Sequence, residues 1–208
     1  MLSLSFCLSS SVNDTMIASI PFGDKERRRL RAIKNTSARL SSLAALAALQ
    51  RLLRMHGADN LTILREDGGK PYFPDSSLFF SLSHADGLAL SALSDTSVGV
   101  DVEWIDSSRN IDRILSRFFT AQEQSEILEA DDKALSFYSL WTKKEAYAKL
   151  TGEGLISVCS SKQLDALFKQ YILELDGRRA VISICTQTDQ QVYIHDLEKE
   201  FTIYELQS

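Results

Sequence analysis

Valine occupies every second position of residues 98–103, where it alternates with Gly99, Asp101 and Glu103. This period of two predicts a β-strand. Because alternate side chains of a strand point to the same face, Asp101 and Glu103 project side by side while the valines face a core. The pattern therefore combines one buried face with a pair of adjacent carboxylates.

Other stretches show either this alternation or the spacing of an amphipathic helix. Strands are predicted over residues 2–8, 78–83, 88–93, 171–175, 180–185, 192–195 and 201–206, and helices over residues 39–55, 111–119, 134–150 and 161–168, with one more beginning after Thr120. Each half of the chain runs from helices to a meander of strands. We expect an α+β fold of two similar halves in a pseudo-two-fold pair, residues 1–105 and 106–208, each with a small antiparallel sheet packed against helices.

The Asp101 and Glu103 carboxylates repel each other unless something neutralises them. Mg²⁺ prefers oxygen ligands and is the usual answer to such a pair, so both residues are candidate metal ligands. The alternative is a strand whose polar face lies in water, as in many antiparallel sheets. The local pattern leaves both interpretations open.

The composition is that of a globular protein, with 208 residues of which 44% are hydrophobic and 25% charged. The net charge of −5 argues against a general nucleic-acid binder. The cysteines are three in number and lack a C-x-x-C spacing, which favours reduced thiols in a cytosolic protein. No apolar run approaches the roughly 18 residues of a membrane span, and no basic residue precedes the first apolar run. We expect a soluble, cytoplasmic protein.

Positive charge is concentrated in residues 22–35 of this acidic chain, and Arg39 follows shortly after. The basic residues of the run are Lys25, Arg27, Arg28, Arg29, Arg31 and Lys34. Such a run is either a solvated helix face or an anion site in which guanidinium groups bind phosphate. Both interpretations stay open.

Two residues stand at positions where sites are often built. Lys70 follows two glycines and precedes Pro71, which presents it in a defined direction, although the rest of a nucleotide triphosphate loop is absent. His84 ends a predicted strand before a glycine turn, where it is either a structural hydrogen-bonding residue or part of a site.

Glu145 and Lys149 lie one turn apart on the helix predicted over residues 134–150. The simpler interpretation is a surface ion pair, which stabilises a helix by about 0.3–0.5 kcal/mol. The functional interpretation is a third carboxylate that meets Asp101 and Glu103 at a metal ion, with Lys149 beside a phosphate.

Five motifs in this order resemble those of the 4′-phosphopantetheinyl transferases. They are Arg39 at a helix start, Gly69-Lys70-Pro71, Phe80-Ser-Leu-Ser-His84, Val98-Gly-Val-Asp-Val-Glu103 and Trp141-Thr-Lys-Lys-Glu-Ala-Tyr-Ala-Lys149. The length and the two-half layout are similar to the Sfp-type subfamily, which implies a monomer with its active site in the cleft between the halves.

The resemblance implies transfer of 4′-phosphopantetheine from coenzyme A to a serine of an apo acyl or peptidyl carrier protein, with adenosine 3′,5′-bisphosphate released. It implies Mg²⁺ held by Asp101, Glu103 and Glu145. Glu145 is then also the general base towards the carrier serine, directly or through a water, and Lys149 donates to a phosphate.

The resemblance also implies the coenzyme A contacts. Ser83 and His84 hold its phosphates, Lys70 lies near the adenosine end, and Arg39 meets the ribose 3′-phosphate. One or two further contacts come from the basic run, with Lys25, Arg28 and Arg31 as candidates, or part of that run docks an acidic carrier protein. Ala85 and Asp86 follow His84 where the family often has a small hydroxyl residue, so no side-chain contact is expected at position 85.

Two rival functions use the same residues. One is another Mg²⁺-dependent phosphoryl transfer or phosphodiesterase activity on the same three carboxylates. The other is a binding module that holds coenzyme A or a carrier protein without turnover, against which the intact set of Asp101, Glu103, Glu145 and Lys149 argues.

Overall fold

Antiparallel strand pairs dominate the computed structural model, which describes residues 1–13, 23–58, 61–66, 69–160, 164–195 and 201–206. In chain order the strands are β1 (Leu2–Leu8), β2 (Leu64–Arg65), β3 (Pro71–Tyr72), β4 (Phe79–Ala85), β5 (Leu88–Ser94), β6 (Val98–Trp104), β7 (Leu167–Leu175), β8 (Arg178–Thr186), β9 (Val192–His195) and β10 (Thr202–Glu205). Within the described residues they form a first sheet in the order β4-β5-β1-β9, a second in the order β10-β7-β8-β6, and the small pair β2-β3.

The helices are α1 (Asp24–Ala32), α2 (Thr36–Met55), α3 (Asp112–Phe118), α4 (Ala121–Glu129), α5 (Lys133–Thr151) and α6 (Leu155–Ser160), with a 3-10 turn at Ser9–Ser11. Capping residues mark some of their ends. Asn35 caps α2 by accepting from the Ala38 N–H at 3.0 Å, and Thr120 and Glu123 form a capping box on α4. Gly152, with a φ of 78°, ends α5 in the left-handed region.

The predicted α+β fold is confirmed, with one parallel pair, β1 with β9, among the antiparallel ones. The predicted helix over residues 161–168 is wrong at its end. Residues 161–163 lie outside the described part of the chain, but Leu167 and Phe168 pair with Thr186 and Cys185 of β8. Long-range pairing overrides a helical pattern there.

The two sheets share one hydrophobic core, which contains Leu4 and Phe6 from the first sheet and Val100, Val102 and Ile182 from the second. The valines of β6 therefore face a core, as the alternation predicts. Helix α2 covers the outer face of the first sheet, and α3, α4 and α5 lie on the second. Within the described residues, no helix is long and apolar enough to cross a membrane.

The two sheets meet where β4 lies against β6. Here serine hydroxyls of β4 accept hydrogen bonds from backbone N–H groups of β6: Val100 donates to Ser81 at 3.0 Å and Val102 to Ser83 at 3.3 Å. These bonds satisfy buried backbone donors at the junction. The junction also places Ser83 beside Asp101, the central residue of the site.

Strands are exchanged across the predicted boundary between residues 105 and 106. Strand β6 precedes this boundary but pairs with β8, and β9 follows it but pairs with β1. The division into halves stays a prediction, and each sheet draws on both segments.

Candidate active site

A cavity of about 540 Å³ lies beside the junction of β4 and β6. Its walls come from α1, α2, the strand pair β2-β3 with the segment between them, strands β4 and β6, and the end of α5 with the loop that follows. The lining includes Arg29, Arg65, Gly69, Lys70, Ser83, His84, Asp101, Glu103, Glu145 and Lys149. Seven predicted site residues thus share one cavity: Lys70, Ser83, His84, Asp101, Glu103, Glu145 and Lys149.

Asp101 is the best-defined side chain of this cavity. It is buried, and its Oδ1 accepts from the Ser83 hydroxyl at 2.7 Å and from the Lys149 ammonium at 2.7 Å. Lys149 also donates to the Ser83 oxygen at 2.8 Å. The other oxygen, Oδ2, is buried and has no hydrogen-bond partner among the described residues. One oxygen of Asp101 therefore accepts two hydrogen bonds, and the other accepts none from the described residues.

The negative charge of Asp101 acts on two further carboxylates, Glu103 and Glu145. Burial raises the pKa of Glu103 to about 7, and the negative charges of Asp101 and Glu145 act in the same direction against Arg109 and Lys149. Burial, followed by Asp101, also raises the pKa of Glu145. The three carboxylates thus repel one another electrostatically within one cavity.

Helix α5 reaches this position because it packs directly on the backbone of β6. A Cβ atom on Gly99 would lie 1.9 Å from the carbonyl oxygen of Ala146, so only glycine permits this approach. Polar contacts fix the helix on the neighbouring strand of the same sheet, since the Thr142 hydroxyl lies 2.7 Å from the Ser183 hydroxyl of β8, to which Gln170 donates at 2.8 Å.

The fit of a divalent cation depends on the chemistry of these carboxylates. Among the described residues, no three His, Cys, Asp or Glu side chains are arranged as a metal-binding group. The donor set nevertheless suits a hard cation, because the buried Oδ2 of Asp101 is unpaired among the described residues. Positive charge would also relieve the repulsion that, after burial, contributes to the raised pKa of Glu103 and Glu145.

Positive charge lines the rest of the cavity. Lys70 donates to the carbonyl oxygen of Leu150 at 2.6 Å, which ties the segment before β3 to the end of α5, and burial lowers the pKa of Lys70. Arg29 and Arg65 also line the cavity. Lys149 and the His84 imidazole complete this surface, the basic wall, although burial and the charge of Lys149 hold the pKa of His84 below its ordinary value. Its N–H groups suit phosphate oxygens.

Four predicted coenzyme A contacts do not line the cavity. Lys25, Arg28, Arg31 and Arg39 are exposed, and their assignment stays a prediction. On α1 the inward face is formed by Glu26, Arg29 and Leu30, of which Glu26 and Leu30 are buried. The sequence reasoning missed Glu26 and Arg29; their spacing of three residues inside a basic run is the local signal that marks this face.

Comparison with known proteins agrees with the motifs. The profile of the 4′-phosphopantetheinyl transferase superfamily matches residues 97–204. The 4′-phosphopantetheinyl transferase HetI of Nostoc sp. is 37% identical over 97 residues, which are 43% of this chain and 41% of HetI. The transferase psf-1 of Bacillus pumilus is 39% identical over 94 residues, 43% of this chain and 39% of psf-1.

A longer match is found with the 4′-phosphopantetheinyl transferase gsp of Aneurinibacillus migulanus, which is 29% identical over 168 residues, 77% of this chain and 68% of gsp. The chain thus matches about two fifths of the length of HetI and psf-1 and about two thirds of gsp.

Proposed function

We propose a function from one premise: the chain belongs to the 4′-phosphopantetheinyl transferase superfamily. On this proposal, the protein transfers 4′-phosphopantetheine from coenzyme A to a serine hydroxyl of an apo acyl or peptidyl carrier protein. The observation that carries the proposal is Asp101, which is bound to Ser83 and Lys149 through one oxygen and whose other oxygen is unpaired among the described residues. It lines a cavity together with two further carboxylates and a basic wall.

The basic wall would bind the phosphates of coenzyme A. Lys70, His84 and Lys149 lie on that wall, and each is a suitable donor to a phosphate oxygen. Lys149 is held at Asp101 and Ser83, so its ammonium is already positioned and loses little freedom when a phosphate arrives. Its charge would stabilise the negative charge that grows on the phosphoryl oxygens during transfer.

Glu145 would act as the general base. Its pKa is raised by burial and by Asp101, which makes it a stronger proton acceptor than an exposed glutamate. It takes the proton of the carrier serine, the serine oxygen bonds to the phosphorus of the phosphopantetheine arm, and the bond from that phosphorus to the bridging oxygen breaks. Adenosine 3′,5′-bisphosphate leaves with the electron pair of that bond.

Asp101, Glu103 and Glu145 would hold Mg²⁺. When bound, this ion supplies positive charge at the pyrophosphate oxygens and lowers the repulsion between the three carboxylates. The unpaired Oδ2 of Asp101 and the raised pKa of Glu103 support this assignment.

The cavity is lined by both segments of a single chain, which supports a monomeric enzyme. The buried thiols of Cys7 and Cys185 and the free Cys159 support a reducing, cytoplasmic location.

Intact-mass spectrometry of an apo carrier protein tests the proposal. The protein is incubated with coenzyme A, MgCl₂ and a panel of carriers, and the expected product is a carrier that has gained one phosphopantetheine on its serine. Samples with EDTA in place of MgCl₂, and with Glu145→Gln, are expected to remain unmodified. Release of adenosine 3′,5′-bisphosphate without any carrier adduct would indicate a phosphodiesterase instead, and coenzyme A binding without either product would indicate a binding module.

A further inference from the structure

One buried carboxylate of α1 lies behind the basic wall of the cavity. Glu26 is only 2% exposed although it belongs to a run of charged residues. Its two oxygens are bound by guanidinium groups from different parts of the chain, Arg29 on the same helix and Arg65 on β2.

Four hydrogen bonds hold the two arginines to this carboxylate. Arg29 donates from Nε and Nη2 to Oε1 at 2.9 and 2.7 Å. Arg65 donates from Nε to Oε2 at 2.7 Å and from Nη2 to Oε1 at 3.0 Å, a bidentate contact that fixes the plane of its guanidinium group. Burial raises the pKa of Glu26, but the bonds from Arg65 and Arg29 outweigh it and hold the pKa below its ordinary value.

Arg65 also donates from Nη1 to the carbonyl oxygen of Gly69 at 2.7 Å. Gly69 directly precedes Lys70, so the contact chain that starts at Glu26 reaches the lysine of the basic wall. Arg29 and Arg65 both line the cavity themselves, and these bonds occupy only part of the donor capacity of each guanidinium group.

Stability alone is a weak reason for such an arrangement, because desolvation of a buried ion pair offsets much of its attraction. The arrangement does have a clear consequence for binding. Two guanidinium groups that would repel each other are held side by side with a net positive charge, and their orientation is set before a ligand arrives. Donors oriented in advance lose less conformational entropy on binding.

We propose that Glu26 is a positioning residue for coenzyme A, which holds Arg29 and Arg65 together so that their remaining N–H groups bind one phosphate of this substrate. The inference rests on the proposed function for the identity of the ligand. The phosphate is either the ribose 3′-phosphate or the pyrophosphate, which share the same recognition chemistry.

The test is Glu26→Gln, which keeps the side-chain shape but removes the charge and turns an amide N–H₂ towards a guanidinium group. The dissociation constant for coenzyme A, measured by titration calorimetry without a carrier, is expected to rise about tenfold, the order for one lost charge-assisted hydrogen bond. In turnover, KM for coenzyme A rises by a similar factor while kcat changes less than about twofold, because the reacting groups are untouched. Glu174→Gln is the matched control, since Glu174 accepts from Tyr204 at 2.9 Å and lies outside the cavity lining.

A double-mutant cycle separates positioning from a merely structural role. In an Arg29→Gln, Arg65→Gln background, Glu26→Gln is expected to leave the affinity for coenzyme A unchanged, because its effect acts through the two arginines. Glu26→Asp, which keeps the charge but shortens the reach, serves if Glu26→Gln does not fold, and it is expected to weaken binding in the same direction. A folded Glu26→Gln or Glu26→Asp protein that binds coenzyme A as tightly as the unchanged protein overturns the inference.

Titration with 3′-dephospho-coenzyme A identifies the phosphate. If the arginines bind the 3′-phosphate, Glu26→Gln does not weaken binding of the dephospho compound; if they bind the pyrophosphate, it weakens both compounds equally. Carrier modification by the unchanged protein is measured in parallel. Normal modification together with an unaltered affinity in Glu26→Gln refutes the positioning role alone, whereas absent modification refutes the proposed function.

Discussion

At the scale of single residues, Asp101 has the most demanding environment. Its carboxylate is buried and pairs with Lys149 at 2.7 Å, and its second oxygen is unpaired among the described residues. Asp101→Asn preserves the shape and removes the charge. We expect kcat/KM for carrier modification to fall by about 10²-fold or more, the effect of removing one charged group from a preorganised site.

The matched control for this change is Asp189→Asn. Asp189 pairs with Lys169 at 2.8 Å, but its side chain is 81% exposed, and exposed pairs contribute little. Carrier modification is therefore expected to be unaffected. Full activity in a folded Asp101→Asn protein would rule out Asp101 as a ligand or electrostatic partner in the reaction.

Glu103 predicts a pH dependence of stability. Its folded-state pKa of about 7 lies above the ordinary value of 4.5, so the folded state binds the proton more tightly than the unfolded state. The stability associated with the protonated form is complete below about pH 4.5 and is lost as the pH rises through 7. Glu103→Gln removes this titration. As the pH rises from 5 to 8, the unfolding free energy of the variant should therefore increase relative to that of the unchanged protein.

Urea unfolding at pH 5 and at pH 8, in EDTA, measures the difference in unfolding free energy between the variant and the unchanged protein. Glu129→Gln, at an exposed glutamate on α4, controls for the loss of one carboxylate. A difference in unfolding free energy between Glu103→Gln and the unchanged protein that is the same at pH 5 and pH 8 would contradict the raised pKa.

Residue patterns predicted only part of this site. The alternation at residues 98–103 placed Asp101 and Glu103 on one strand face because period-two spacing is local. The bonds from Ser83 and Lys149 join segments 18 and 48 residues away, which no local pattern encodes. No local pattern indicates Arg65 either, because its partner Glu26 is 39 residues distant.

At the scale of elements, the site depends on contact between α5 and β6. The helix was predicted over residues 134–150 and runs from Lys133 to Thr151, because the Asp132 side chain caps its start and Gly152 ends it. Such signals lie within a few residues of the helix end and are visible in sequence. The functional interpretation brought Glu145 of this helix to Asp101 and Glu103, but it did not predict the direct packing of the helix on the backbone of Gly99. A lone glycine in a valine-rich strand is the typical mark of such packing.

Gly99→Ala should therefore separate α5 from β6. The new Cβ would lie 1.9 Å from the Ala146 carbonyl oxygen and 2.6 Å from the Leu150 nitrogen, both backbone atoms that cannot rotate away. We expect a loss of about 3 kcal/mol or more in unfolding free energy, at the upper end for overpacking, with loss of carrier modification. Urea unfolding monitored by circular dichroism measures the stability.

Gly154→Ala is the control for Gly99→Ala, because nothing lies within 4 Å of a Cβ atom at that position. Its unfolding free energy is expected to stay close to that of the unchanged protein. If Gly99→Ala were equally stable and active, the direct packing of α5 on β6 would be incorrect.

At the scale of the whole molecule, the exchange of strands connects the two segments of the chain. An α+β class follows from the succession of helical and alternating patterns, which is why it was predicted correctly. The partners of β6 and β9 depend on pairings between residues about 80 to 190 positions apart, and local periodicity carries no information on them. The two sheets consequently share a core that neither segment completes alone.

Separation of the chain after residue 105 tests this interdependence. In fragment 1–105, β6 would lose β8 and expose the Val100 and Val102 side chains, both fully buried in the intact protein, while β1 would lose β9. Fragment 106–208 would lose β6, the strand that pairs with β8, and would leave that edge of β8 unpaired. We expect neither fragment alone to show a cooperative thermal transition by circular dichroism.

Equimolar mixing of the two fragments should restore a cooperative transition. It should also restore coenzyme A binding, because residues of both fragments line the cavity. A cooperative transition in fragment 1–105 alone would show that residues 1–105 form an independent domain, and that the exchange of β6 and β9 is dispensable for folding.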